Sequence, residues 1–337
     1  VAPAGEFPLK LWAVDYGPEL FDERDAICPE DGCKLLQTSE MTWIHAQGDP
    51  DAATLNELGR LYGLHALALE DVLNHGQRPK LEDYEGQLFV VLMLPVRNGG
   101  EIELSQISLF TGRNFVISFC SGADDPFEPV RRRLRRPDST LRRLGPDGLL
   151  HALADLVVDR GFPVVEALSE QIDALENTPF EALANRSMLS AIYQLRRELL
   201  ALRRVFWPQR ELFNTLVKDD HPLLAKGERL YFRDCRDHAV QLLETTDQFR
   251  EMANHLLDLH LAASNHRLNE ILRILTLITV LFIPPTFIVG VYGMNFDTAR
   301  PWNMPELNWP FGYLAVWLLI LGIMAGMLVF FRRRRWL

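Results

Sequence analysis

Apolar and polar positions change their period twice along the chain. Short apolar runs come first, at residues 9–15 and 88–94, and their β-branched and aromatic content predicts strands. Residues 107–110 and 114–119 form a pair of such runs split by Thr111-Gly112-Arg113, which predicts a hairpin. Helical spacing shows at 52–61 and 126–136. Residues 1–145 therefore read as an α/β domain.

From Gly148 onward the period is helical almost throughout. Residues 149–176 carry an apolar stripe with acids opposite, and Asn177-Thr178-Pro179-Phe180 interrupts it. A second helix is predicted over 182–217, dented by Pro208, with a turn at Lys218-Asp219-Asp220-His221-Pro222. Residues 146–230 thus form an acidic helical hairpin region. A further pattern starts near Tyr231 and meets no Pro or Gly until Pro284. As one helix through Tyr292 it would be about 90 Å long at 1.5 Å per residue, far more than a globular domain uses.

The pattern then loses its polar face. Residues 274–296 and 309–331 each contain no charged side chain over 23 positions, and about 20 suffice to cross a bilayer. The predicted organisation is a long helix over 231–292 whose end, about 274–292, is a first span. An outer loop over 293–308, a second span over 309–331 and a basic tail over 332–337 complete it. Arg332 to Arg335 follow the second span, and Arg267 and Arg273 precede the first. The connecting loop carries Asp297 and Glu306 against Arg300. The positive-inside rule then puts both termini in the cytosol of a multi-pass plasma (inner) membrane protein. Trp302, Trp309 and Tyr313 suit the outer interface, and Trp336 the inner one. No secretory signal is expected, since residues 1–10 lack the basic-then-apolar order.

Along the end of this long helix, Asn269, Leu272, Thr276, Thr279, Ile283, Thr286, Gly290 and Gly293 follow alternating spacings of three and four and share one seam. Hydroxyls and amides in hydrocarbon need partners, so the seam faces protein or water. Two readings stay open on the seam alone: close packing through small residues, or a pore lined by the same helix from several copies. Neither span holds a titrating group of the kind proton-coupled carriers use, which favours passive flow past neutral oxygens. Such a lining suits Mg²⁺, which dehydrates reluctantly and prefers oxygen.

Composition adds limits. The formal charge of −10 disfavours nucleic acid as a partner and suits a cation-attracting cytosolic body. Cys28 and Cys33 stand beside Glu30 and Asp31, where a plain loop is expected. There is no phosphate loop, Gly-x-Ser-x-Gly or His-Glu-x-x-His, so no enzyme, no catalytic residue and no organic cofactor is expected.

Tyr292-Gly293-Met294-Asn295, at the end of the first span, resembles the Gly-Met-Asn signature of the CorA family of Mg²⁺ transporters. Residues 269–296, Met304-Pro305-Glu306-Leu307, Phe311-Gly312-Tyr313 and the Arg-rich end with Trp336-Leu337 resemble that family too. So do Gln77-Arg78-Pro79-Lys80, Trp207-Pro208 and Tyr231-Phe232-Arg233-Asp234. The chain departs from the family in a longer outer loop, Asp297 to Asn303, and in the doubled Pro284-Pro285.

The resemblance implies a funnel-shaped homopentamer in the lipid bilayer, with the long helices lining the funnel. It implies a divalent cation channel importing Mg²⁺, with Co²⁺ or Ni²⁺ as further cargo, down its electrochemical gradient. Tyr292, Gly293, Met294 and Asn295 would form the selectivity filter, and Asn269 and Thr286 further polar rings. Leu272, Leu275 and Ile283 would form an apolar gate, although the heptad puts Thr276 rather than Leu275 on the seam. It also implies regulatory Mg²⁺ held between subunits by Asp71 and Asp258, with Glu70 as a further ligand. The alternative is a Zn²⁺ transporter of the related ZntB type, driven by protons.

Overall fold

The computed structural model describes residues 9–84, 86–122, 124–225, 227–295, 297, 302–334 and 336, the side chains of Thr38 and Glu306 excepted. Residues 1–8, Phe296, Arg300, Arg335, Leu337, the loop stretch 298–301 and the Glu306 side chain, all invoked above, lie outside the described residues. The chain falls into two compact units: Val1–Thr178 with Arg186–Leu257, and Pro179–Asn185 with Asp258–Leu337.

The first unit is built on a seven-stranded sheet. Its strands are β1 (Lys10–Tyr16), β2 (Phe21–Arg24), β3 (Thr42–Gln47), β4 (Lys80–Tyr84), β5 (Gln87–Asn98), β6 (Glu101–Thr111) and β7 (Phe115–Cys120). They lie in the order β2-β1-β3-β7-β6-β5-β4. The expected hairpin is β6–β7, and β3–β7 is parallel while every other described pair is antiparallel. Successive side chains of a strand point to opposite faces. On β5, Leu88, Val90 and Leu92 enter one core and Phe89 and Val91 the other. Both faces are covered, so the run reads as continuously apolar rather than alternating.

One face is covered by α2 (Ala52–Tyr62) and α3 (Ala66–Leu73), whose Leu55, Leu58, Leu69 and Val72 join the smaller core. The larger core takes α4 (Glu128–Arg135), α5 (Pro146–Asp159), α6 (Gly161–Glu176), α8 (Arg186–Lys218) and the first half of α9 (Arg229–Tyr292). Asp51 caps α2 by accepting from the Thr54 N–H at 2.6 Å, and Gly63 ends it at φ 68°, a left-handed position that favours glycine.

Several expectations are corrected. The predicted helix over 149–176 is two helices that meet at Arg160. Pro163 cannot bond back to Asp159, and a Cβ at Gly161 would lie 2.8 Å from Leu242 Cδ1, so the break lets the chain pack closely. The helix predicted over 182–217 begins at Arg186, after a short α7 (Phe180–Leu183). The Leu183 carbonyl is taken by the His260 ring, whose Nδ1 donates to it at 2.5 Å. As expected, α8 runs through Pro208 without ending there. Cys33 lies in a helix, α1 (Pro29–Thr38), with Cys28 as its N-cap residue, so these two are not in a plain loop. Cys28 donates to Asp31 and Cys33 to the Leu61 carbonyl.

Strands β2, β3 and β4 were not expected from the pattern. Thr42, His45 and Gln47 of β3 are buried polar residues, which hides the alternation. His45 Nδ1 meets the Ser118 hydroxyl at 2.8 Å and its Nε2 the Gln47 side-chain Oε1 at 3.1 Å.

The second unit consists of α7, the rest of α9, the one-turn helix Pro305–Asn308 and α10 (Gly312–Arg333). The long helix predicted from Tyr231 is continuous over 64 residues. Both α9 and α10 are long and apolar enough to cross a membrane. In the most apolar window of α9 none of the residues is buried, and in that of α10 only 11% are. A core helix of a soluble protein would hide these residues instead.

Candidate ion-conduction site

The end of α9 carries a regular ladder of hydroxyls. Thr276, Thr279 and Thr286 each donate to the carbonyl four residues back, those of Leu272, Leu275 and Phe282, all at 2.8 Å. Each hydroxyl proton has a partner inside its own helix, so these threonines are tolerated in hydrocarbon. What they offer outward is oxygen lone pairs. Pro284 and Pro285 have no N–H, so they withhold the usual helix bonds from the Val280 and Leu281 carbonyls one turn below. The stretch from Thr276 to Thr286 is therefore rich in acceptor oxygens and has no charge.

At 100° per residue, Leu275 and Thr276 lie on either side of a line through Leu272, Thr279, Ile283 and Thr286. Either can border the same face, which removes the conflict between the heptad and the family pattern. Asn269, Leu272, Leu275, Ile283 and Gly290 are all exposed in the single chain.

The helix closes at the signature. The Gly293 N–H donates to the Val289 carbonyl at 2.9 Å and the Met294 N–H to that of Val291 at 3.2 Å, so the last turn tightens. A Cβ at Gly293 would sit 3.3 Å from the Val289 oxygen, tighter than a side chain easily accepts. Asn295 then leaves the helix. Beyond it, the Asn303 side-chain amide donates to the Asp297 carbonyl at 3.0 Å and ties these two positions of the connecting loop together.

The acids expected to regulate the protein are placed separately. Asp71 lies on α3, partly buried, and Glu70 beside it is exposed. Asp258 is exposed on α9. Sequence reasoning missed the partner of Asp71: Lys80 Nζ lies 2.7 Å from Asp71 Oδ2 and 2.9 Å from Glu82 Oε1. Burial pulls the Lys80 ammonium down, but its bonds to Asp71 and Glu82 outweigh that and hold it above its ordinary value. The Gln106 amide donates to the Asp71 carbonyl at 2.7 Å and fixes the turn that carries the carboxylate. The signal was Lys80 at the start of β4, a strand the pattern did not reveal.

Known proteins resemble the chain over most of its length. The chain is 37% identical over 332 residues to the cobalt/magnesium transport protein CorA of Thermotoga maritima, covering 98% of this chain and 93% of that one. It is 34% identical to the putative metal ion transporter YfjQ of Bacillus subtilis, over 87% of this chain and 89% of that one. The complete structure of the CorA magnesium transporter from Methanocaldococcus jannaschii superposes with a TM-score of 0.80, covering 97% and 98% of the two chains at 23% identity. The profile of the CorA-like Mg²⁺ transporter protein family matches residues 38–335. With an α/β unit, a 64-residue helix and an uncharged span ending in Gly293-Met294-Asn295, this chain belongs to the CorA-like family of divalent cation transporters.

Proposed function

We propose that the chain forms a homopentameric channel that imports Mg²⁺ across the plasma membrane, with both termini in the cytosol. The observation that carries this reading is the end of α9: an uncharged helix, threonine oxygens facing outward, and a tight turn that delivers Asn295 beyond the last residue. A ring of Asn295 amide oxygens and Gly293 carbonyls can hold Mg²⁺ with its water shell attached. No carboxylate lies in this described stretch to trap the ion. Thr286 and Asn269 form further polar rings, with Thr279 and Thr276 lining the path between them and Gly290 the path from Thr286 to the filter. Leu272, Leu275 and Ile283 form an apolar constriction that closes by dewetting.

Regulation follows from the cytosolic acids. Asp71 of one subunit faces Asp258 of its neighbour, and Mg²⁺ bridges the two carboxylates in the closed state, with Glu70 nearby. When cytosolic Mg²⁺ falls, the carboxylates repel, the ring loosens and the constriction opens. Lys80 competes with the ion for Asp71, so it sets the Mg²⁺ concentration at which the ring closes.

The test is flux in liposomes containing the purified protein. Mg²⁺ entry driven by its own gradient and the membrane potential, with Co²⁺ or Ni²⁺ also passing, is the expected result. Zn²⁺ flux that needs a pH gradient, with no Mg²⁺ flux, would replace this reading with that of a ZntB-type zinc carrier.

A further inference from the structure

The helical layer over the sheet holds a cluster of metal-ligating side chains that the pore leaves unused. On α5, His151, Asp155 and Asp159 recur every four residues and so share one face. The second and third turns of α9 bring Asp234, Cys235 and His238 against them. Ligand atoms of His151, Asp155 and Cys235 all lie within 4.8 Å of one another, and so do those of Asp155, Asp234 and His238.

The two triads share Asp155 but differ in character. Cys235 is fully buried, and its thiol donates to Asp155 Oδ1 at 3.7 Å. His151 and Asp155 are partly buried. The His151 ring is held between Tyr231 and Phe232, at centroid distances of 5.4 and 5.6 Å. Its Nε2 is buried and has no hydrogen-bond partner among the described residues. A dry, unmatched polar atom costs about 1–3 kcal/mol, so its placement calls for a ligand. The other triad is more exposed and already engaged: His238 Nδ1 lies 3.1 Å from Asp159 Oδ1 and its Nε2 4.0 Å from Asp234 Oδ1.

The chemistry of the buried triad is selective. Imidazole nitrogen, thiolate sulfur and carboxylate oxygen suit zinc, cobalt and nickel, whereas Mg²⁺ takes oxygen ligands. The 3.7 Å between Cys235 Sγ and Asp155 Oδ1 already suits bonds of about 2.0–2.3 Å to such an ion, and with all three ligand atoms within 4.8 Å of one another the set is within reach of small side-chain rotations. One thiolate and one carboxylate would neutralise the dication, which makes burial affordable.

We infer that His151, Asp155 and Cys235 form a binding site for a transition-metal dication of the zinc, cobalt and nickel class, which clamps α5 to the start of α9. The fourth position opens toward Asp234 and His238, where the ion enters. On binding, the Cys235 thiol gives its proton to solvent and the thiolate coordinates the metal, with no change of oxidation state. The site lies wholly within the α/β-containing unit and does not depend on which ion the pore conducts.

The experiment uses the purified full chain carrying Cys28→Ser and Cys33→Ser, which removes the two thiols that are not buried. Co²⁺ is titrated in excess Mg²⁺, which occupies the oxygen-ligand sites. A thiolate-to-cobalt charge-transfer band should appear in the near ultraviolet, saturate with a single ion per chain, and disappear when Zn²⁺ is added. Cys235→Ser should abolish the band, and His151→Gln should weaken Co²⁺ binding by at least about tenfold. No band in the folded protein, or a band that survives Cys235→Ser, overturns the site. Should the Cys235 variant fail to fold, X-ray absorption of the zinc-loaded background protein decides: sulfur and nitrogen neighbours support the site, and an oxygen-only shell overturns it.

Discussion

The two units solve the burial problem in opposite ways. The α/β-containing unit has a core of large side chains hidden within its own chain: Trp43, Tyr16, Phe89, Phe206 and Phe213 are all fully buried. In the other unit, Ile283, Phe287, Leu318 and Leu319 are more than half exposed, though they are no less apolar. Burial of such side chains is worth about 1.5–3 kcal/mol each, so this unit gains its stability from surroundings outside the chain. In the proposed channel, a lipid bilayer and further copies of the chain would supply those surroundings. The polar groups differ accordingly. In the first unit they pair across elements, as Lys80 does with Asp71; in the span, the threonines pair within a single helix.

The most severe break in this contrast is expected at Asn295. Asn295→Ala should abolish Mg²⁺ uptake in liposomes while the oligomer stays assembled by size-exclusion chromatography, because the residue stands outside both cores. Normal uptake would remove Asn295 from the filter.

The burial difference itself predicts the next effect. Phe206→Ala, in the core under α8, should destabilise the protein by about 3–5 kcal/mol. Leu319→Ala, on the open face of α10, should cost only about 0.5 kcal/mol. Thermal unfolding of the full chain in detergent measures both. Equal losses would mean that α10 is packed against protein at Leu319.

A smaller, graded effect is expected where Lys80 meets Asp71. Asp71→Asn and Asp258→Asn should each raise, several-fold, the Mg²⁺ concentration that protects the protein from protease, and the double variant should add little. Lys80→Met should lower that concentration, because it frees the carboxylate. Protection curves identical to wild type in all three single variants would detach these residues from regulation.

Acid should distinguish the units as well. Burial first, and then the Arg131 guanidinium, push His45 down to about 3 from an ordinary 6.5. A histidine with a depressed folded-state value stabilises the fold fully above about pH 6.5, and that contribution is lost as pH falls from 6.5 toward 3. His45→Gln should flatten the pH dependence of stability in that window, as measured by chemical denaturation. An unchanged slope would place the acid sensitivity elsewhere.

The mildest outcome is no effect. Collapsing a pH gradient at fixed membrane potential should leave Mg²⁺ flux unchanged, since the described parts of the spans hold no titrating side chain between Ile274 and Met294 or between Gly312 and Phe331 apart from the tyrosines.

The elements legible in the sequence were those with one strong period. The β6–β7 hairpin, α2, the long α9 and the two apolar stretches declared themselves because a single face, or none, needed to be polar. Strand β3 did not, because Thr42, His45 and Gln47 are buried polar groups satisfied across the sheet by Asp15, Ser118 and the Gly122 carbonyl. The stripe over 149–176 hid the break at Arg160, since α5 and α6 keep their apolar residues against one core on either side of it.

The sequence by itself determined what depends on local composition: a helix too long for a globular domain, two uncharged spans, and a Gly-Met-Asn turn after a threonine-bearing helix. These rest on period, charge and hydrogen-bonding capacity, which each segment carries with it. Only the tertiary structure decided which distant groups meet. Lys80 reaches Asp71 because β4 lies at the edge of the sheet beside α3, and Cys235 reaches His151 and Asp155 because α9 packs on α5. No spacing along the chain encodes those meetings; they follow from how the apolar faces close on one another.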